Sequence, residues 1–196
     1  GRSAAIFTEN YGNDVIRAVT SASRDFLQAP PEGFSDYPLL SPRGALMVGD
    51  RSCLAEVDAA VGGKVVAVDS DEITRLSPLV SPDFALAGAW EKGASDIDVD
   101  ALFQGYLRGF KQAGGELRTG AEIQALTRLD KNWRVDTRAG SFSATIIVNA
   151  AGAWADQIGQ TAGTRKVGLV PKRRTALTID PGQSPASWPL TIGADE

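Results

Sequence analysis

The stretch TIIVNAAGAWAD, Thr145 to Asp156, is where the fold of this chain is decided. Ile146, Ile147 and Val148 are apolar at consecutive positions, which predicts a strand over 146–148 covered on both faces inside a doubly wound layer. Ala150, Ala151 and Gly152 then offer almost nothing to pack, and Trp154 opens a helix expected to run to Thr161. Open α/β sheets hold ligands at strand carboxyl ends, where helix N–H groups are unpaired, and small residues there let a ligand approach the main chain. The same residues equally let a helix pack close on its sheet, so the triplet alone leaves both readings open.

Upstream, EIQALTRLD, WRVDTR and SFSATIIV alternate or run apolar around DKN and AGS, which are turn chemistries. They predict an antiparallel meander. Before them, DIDVDALFQGYLRGFKQAGG predicts a helix capped by Asp98, with Asp100 in its first turn and Gly114-Gly115 as the stop. Leu102, Phe103, Tyr106, Leu107 and Phe110 share one helical face and are expected to pack on a sheet. A strand ELRTG directly after it makes this helix a βαβ-type crossover.

Nearer the start, the apolar spacing predicts a helix from Asp14 to Leu27, capped by Asn13 and barred from continuing by Pro30-Pro31. The Pro/Gly-rich connection that follows marks a domain crossing near Ala29. Beyond it come an expected strand over 45–48, a helix over 52–60, a strand over 64–68, a helix capped by Ser70 or Asp71 and ended by Pro78, and a strand over 84–90. This order reads as an α+β module.

Composition removes several functions. With 43% hydrophobic and 22% charged residues among 196, the chain is long enough to bury a core. Its net charge of -4, without a basic run, makes nucleic acid an unexpected partner. No stretch approaches the roughly 20 apolar residues needed to cross a bilayer. There is no histidine, which excludes Ser-His-Asp and Cys/His mechanisms within this chain and removes the usual zinc ligands, so no metal site is expected. The single Cys53 gives no disulfide framework and reads as a small buried hydrophobe, which fits a cytoplasmic location. GRSAAIF opens without Met, and TIGADE follows a strand-like WPLTI, so a middle piece of a longer protein is expected.

VNAAGAWAD, Val148 to Asp156, resembles the second flavin-contacting motif of the D-amino-acid oxidase-like FAD-dependent oxidoreductases, among them glycine oxidase, sarcosine oxidase and D-amino-acid dehydrogenase. A helix ending in Gly, a short strand, a W.V.T..G...A meander and this motif follow in the family's order from Ala113 to Trp154. GRSAAIFTENYGN resembles the segment after the family's first crossover, and VGLVPKRRTALTI resembles the return strand into its substrate domain.

The resemblance implies FAD as cofactor and a small amine or amino acid as substrate, oxidised at its C–N bond by hydride transfer to flavin. The imine formed is then hydrolysed by water, and no protein base is required. It implies an α/β fold: an FAD-binding, Rossmann-like layer with a β-meander over 1–28 and 97–163, and a discontinuous α+β substrate domain over 29–96 and 164–196. The family's G-x-G-x-x-G turn and C-terminal glycine-rich segment are not in this sequence, so tight FAD binding by these residues alone is not expected.

By the same resemblance, Ser3, Ala4 and Ala5 match the flavin-side loop, Ile123 matches the position whose main chain meets the adenine edge, and Ala150, Ala151, Gly152 and Trp154 form the flavin motif. Each has a plain alternative as a packing or capping residue. Tyr11 is a candidate for the substrate cavity, although packing is its more ordinary role. Arg43 and Arg173, with Arg174 beside it, are candidates for a substrate carboxylate because guanidinium presents a bidentate fork; Lys172-Arg173-Arg174 also reads as an exposed charge run. Sarcosine oxidases carry an arginine three residues before the Tyr-Gly pair, where this chain has Thr8, so N-methyl amino acids are less expected. Asp96 and Asp98 suggest helix capping before acid-base chemistry. No catalytic residue is named, and a related hydroxy-acid or glycerol phosphate dehydrogenase, or a non-catalytic α/β domain, remains the alternative.

Overall fold

The computed structural model describes residues 5–173 and 175–195; Ser3, Ala4 and Arg174, singled out above, lie outside the described residues. Contacts divide the chain into two compact units, 1–114 with 180–196, and 115–179.

The first unit holds β1 (Ile6–Phe7), α1 (Asp14–Gln28), β2 (Leu40–Pro42), β3 (Ala45–Gly49), α2 (Leu54–Ala60), β4 (Val66–Val68), α3 (Ser70–Leu76), β5 (Ala87–Glu91), β6 (Ser95–Ile97), α4 (Val99–Gln112) and, far along the chain, β10 (Leu190–Gly193). Asn13 caps α1, its Oδ1 accepting the Ile16 N–H at 3.1 Å, and Asp98 caps α4 by accepting the Ala101 N–H at 2.9 Å. For α3 the cap is Asp69, not Ser70 or Asp71. Its extended backbone places its carboxylate on the Glu72 N–H at 3.0 Å, one residue earlier than the sequence suggested. β5 starts at Ala87 because Phe84 and Ala85 donate into a turn over Ser81 and Pro82.

Strands β1, β6 and β2 form one antiparallel sheet. In the other, ordered β10-β3-β5-β4, β10 runs parallel to β3 and the remaining pairs are antiparallel. Phe7, Leu27, Leu39 and Leu40 form a core on the first sheet, joined by Ile97 of β6 and by Phe26, Phe34 and Leu102 from the flanking segments. Alternation on β3 and β5 sends Leu46, Val48 and Trp90 to a core with Ile73 of α3, and Met47 and Ala89 to the opposite face with Val57 of α2.

The face of α4 departs from expectation. Leu102 packs inward and Gly105 is buried against Phe34, but Phe103, Tyr106 and Phe110 are 54%, 61% and 50% exposed. Strands of two and three residues are too short to cover four helical turns.

The second unit contains the predicted meander, β7 (Ile123–Leu129), β8 (Asn132–Thr137) and β9 (Gly140–Ala144), followed by a 3-10 turn over Gly152–Trp154 and α5 (Ala155–Thr161). Three expected strands are absent among the described residues: 116–120, 146–148 and the return strand over 167–179. Ile146 and Val148 are 77% and 84% exposed, not buried on two faces. A strand needs a ladder partner, and none of the described residues pairs with these segments. Consequently α4 is not followed by a strand, and the expected βαβ crossover is not formed.

Candidate cofactor and substrate sites

The segment after β9 turns on Asn149. Its Oδ1 accepts the Ala151 N–H at 3.2 Å and its Nδ2 donates to the Ala155 carbonyl at 2.8 Å, so one side chain spans the turn and fixes Ala150 and Ala151. Gly152 has φ +56, and a Cβ there would meet nothing within 4 Å. Backbone handedness, not close packing, therefore requires glycine. Asp156 then anchors the chain that follows: its carboxylate accepts the N–H groups of Val167 at 2.9 Å, Gly168 at 2.8 Å and Leu169 at 2.9 Å. These bonds, the Val167 one foremost, hold its carboxyl below the usual range against the opposing effect of desolvation, with Lys166 assisting.

Ile123, Ala150, Ala151 and Trp154 come together around one cavity of roughly 550 Å³, completed on its apolar side by Val148 and Ile158. Gly152 is not among its lining residues. The main chain over 146–150 enters no ladder, so its polar groups remain open to a ligand or to water. The slot combines small side chains, an indole and main chain that enters no ladder. Asn149, which lines the slot, carried no functional assignment in the sequence; an Asn beside small residues was the available signal.

The first unit has a separate cavity of roughly 390 Å³. Its apolar wall is the face of Ala45, Met47 and Ala89 with Leu190 and Ile192. Its polar wall is Thr8, Asn10, Tyr11, Arg17 and Glu91. The Glu91 carboxylate, 5% exposed, accepts the Thr8 hydroxyl at 2.5 Å on Oε2 and the Glu9 N–H at 3.0 Å on Oε1. Glu9 points its own carboxylate to Arg24 at 2.6 Å and Lys64 at 2.7 Å. Its pKa is lowered to about 2, chiefly by the Arg24 hydrogen bond, with burial opposing.

Tyr11 lines this cavity while remaining 76% exposed. Ala5 spends its carbonyl on the Ile97 N–H at 3.0 Å, extending the sheet edge. Arg43 lies outside the cavity lining and pairs with Asp96 at 3.0 Å, and Arg173 sits exposed in the irregular segment of the second unit. The cation that does line the cavity is Arg17, on the first turns of α1. Sequence reasoning missed Arg17, Asn10 and Glu91. For Glu91 a signal existed: it shares the strand face of Ala87 and Ala89, so alternation puts a carboxylate where a buried apolar residue is expected.

The mixed α/β fold is similar to that of solved flavin-dependent oxidases. Glycine oxidase from Geobacillus kaustophilus superposes with a TM-score of 0.66 at 19% identity, over 82% of this chain and 47% of that one. L-alpha-glycerophosphate oxidase from Mycoplasma pneumoniae, with FAD bound, does so at 0.65 and 16% identity, over 82% and 46%. The family described as FAD dependent oxidoreductase matches residues 1–195, and the chain belongs to that family, whose cofactor is FAD. Among curated proteins, human mitochondrial dimethylglycine dehydrogenase is 34% identical over 97 residues, 49% of this chain. The chain spans 11% of that relative's length. No helix among the described residues is long and apolar enough to cross a membrane.

Proposed function

We propose that this chain is part of an FAD-dependent oxidoreductase that oxidises the C–N bond of an amine or amino acid by hydride transfer to the flavin. The observation that carries the reading is the convergence of Ile123, Ala150, Ala151 and Trp154 on one cavity in a chain of this family. Bound FAD supplies the hydride acceptor. The chain's own part is to hold and orient: Ala150 and Ala151 keep the slot clear, Trp154 and Ile123 wall it, Gly152 sets the turn, and Ser3, Ala4 and Ala5 are assigned to the flavin-side loop by resemblance alone. Tyr11 contributes to the substrate cavity.

The domain assignment belongs to the same proposal: 1–28 with 97–163 on the FAD side, 29–96 with 164–196 on the substrate side. In its favour, the first unit contains separate cores, one joining Leu27 to Ile97 and Leu102, others around Leu46 and Val57. Against a simple cut, Leu39 and Leu40 pack in the first of these. A reducing compartment such as the cytoplasm suits the free, buried Cys53.

A second reading, oxidation of a hydroxy acid or glycerol phosphate, is favoured by the likeness to the glycerophosphate oxidase fold. Spectra of protein from the complete reading frame separate the two. D-alanine, glycine, sarcosine, dimethylglycine and glycerol 3-phosphate are added without oxygen. Bleaching by an amine supports the proposal, bleaching by glycerol phosphate alone replaces it with the second reading, and a colourless protein that cannot be reconstituted with FAD overturns both.

A further inference from the structure

We propose that Glu91 makes the cavity of the first unit a subsite for substrates bearing a cationic nitrogen, an ammonium or guanidinium, on an aliphatic body. The inference rests on the reading of that cavity as the substrate site. Glu91 is 5% exposed, and its two hydrogen bonds come from neutral donors, the Thr8 hydroxyl and the Glu9 N–H. No cation among the described residues pairs with it, whereas Glu9, its immediate neighbour, has both Arg24 and Lys64. A buried carboxylate without a counter-ion is costly, and a cation arriving with the ligand removes that cost.

The surroundings specify the rest of the ligand. Ala45 is the cross-strand partner of Glu91, and Met47 that of Ala89, so the carboxylate stands at the end of a narrow apolar floor with small residues beside it. A volume of roughly 390 Å³ accommodates a chain of side-chain length. Two further groups on the lining complement the opposite charge. Asn10 carries a buried Nδ2 that has no acceptor among the described residues, and Arg17 is held only by Asp14 at 3.8 Å. An apolar body with a cation at one end and a carboxylate at the other satisfies Glu91, Asn10 and Arg17 together, which describes a basic amino acid.

The test uses the complete protein with its flavin chemically reduced beforehand, so that binding is read without turnover. Calorimetric titration compares arginine with citrulline, nearly identical in shape but different in charge, and lysine with norleucine, each as both enantiomers. The expected result is a preference of about tenfold or more for the charged member of each pair, as charge-assisted hydrogen bonds to a buried group provide. The preference is lost in Glu91→Gln and partly kept in Glu91→Asp. Equal affinities within the pairs, no binding of any of them, or a preference that survives in folded Glu91→Gln overturns the proposal. Should Glu91→Gln fail to fold, the wild-type ratio decides alone. A protein without flavin defeats the oxidoreductase reading, and the same ratio remains measurable on it.

Discussion

Glu9 and Arg24 stand 2.6 Å apart, carboxylate oxygen to guanidinium nitrogen, with the Glu9 side chain 7% exposed. The pairing ties the segment after β1 to the last turns of α1, and Lys64 adds a second cation from the loop before β4. Because the folded pKa of about 2 lies below the ordinary 4.5, Glu9 contributes stability that is full above pH 4.5. That contribution disappears as pH falls from 4.5 through about 2. It amounts to on the order of 3 kcal/mol at neutral pH. Urea denaturation at pH 7 and pH 3 should show a smaller loss between the two pH values in Glu9→Gln than in the wild type, from a lower starting stability.

Asp156→Asn keeps the size of the side chain and removes the charge that collects three N–H groups. Faster hydrogen exchange is expected at Val167, Gly168 and Leu169, with little change in β7 to β9. In the wild type the same amides should lose protection only below the ordinary carboxyl range near 3.8, since the folded pKa is lowered. Unchanged exchange at these amides in Asp156→Asn would show that the loop is held by other contacts.

Two glycines of α4 should respond in opposite directions to alanine. At Gly105 a Cβ would lie 2.5 Å from the Phe34 ring, in a cluster where Phe26 and Tyr106 also pack against that ring, so Gly105→Ala should destabilise by about 1–3 kcal/mol. At Gly109 nothing lies within 4 Å, and alanine should add about 0.5–1 kcal/mol through helix propensity. Denaturation midpoints read both, and Phe34→Leu should relieve part of the first effect.

Ala150→Leu and Ala151→Leu place branched side chains in the slot of the second unit and leave the ladder of its meander unsubstituted. Flavin content of the complete protein after purification should drop at least tenfold for either, with circular dichroism unchanged. Retention of full flavin content in both would remove these residues from the cofactor site.

What the sequence made legible follows from the range of the interactions concerned. Caps and turns are local, so Asn13, Asp98 and the meander of β7 to β9 could be read directly, and the motif around Ala150 named residues that line one cavity with Ile123. The reading of 146–148 went astray because apolar runs say that a segment wants burial, not what covers it. The ion pair of Arg43 with Asp96 is a diagonal contact, since the cross-strand partner of Asp96 is Ser41, and such a contact between distant segments is not visible in the sequence. Glu91 depended on register: only the pairing of Ala45 with Glu91 reveals that the carboxylate looks onto a cavity floor.

The parallel pairing of β10 with β3 also has a meaning in time. Roughly 145 residues separate Ala45 from its partner Leu190, so during synthesis at about 5–20 residues per second the outer edge of β3 waits on the order of ten seconds or more for its neighbour. Throughout that interval a growing polypeptide presents an open strand edge able to capture another chain. Ribosome-bound intermediates halted before Leu190 therefore keep the β3 edge unpaired.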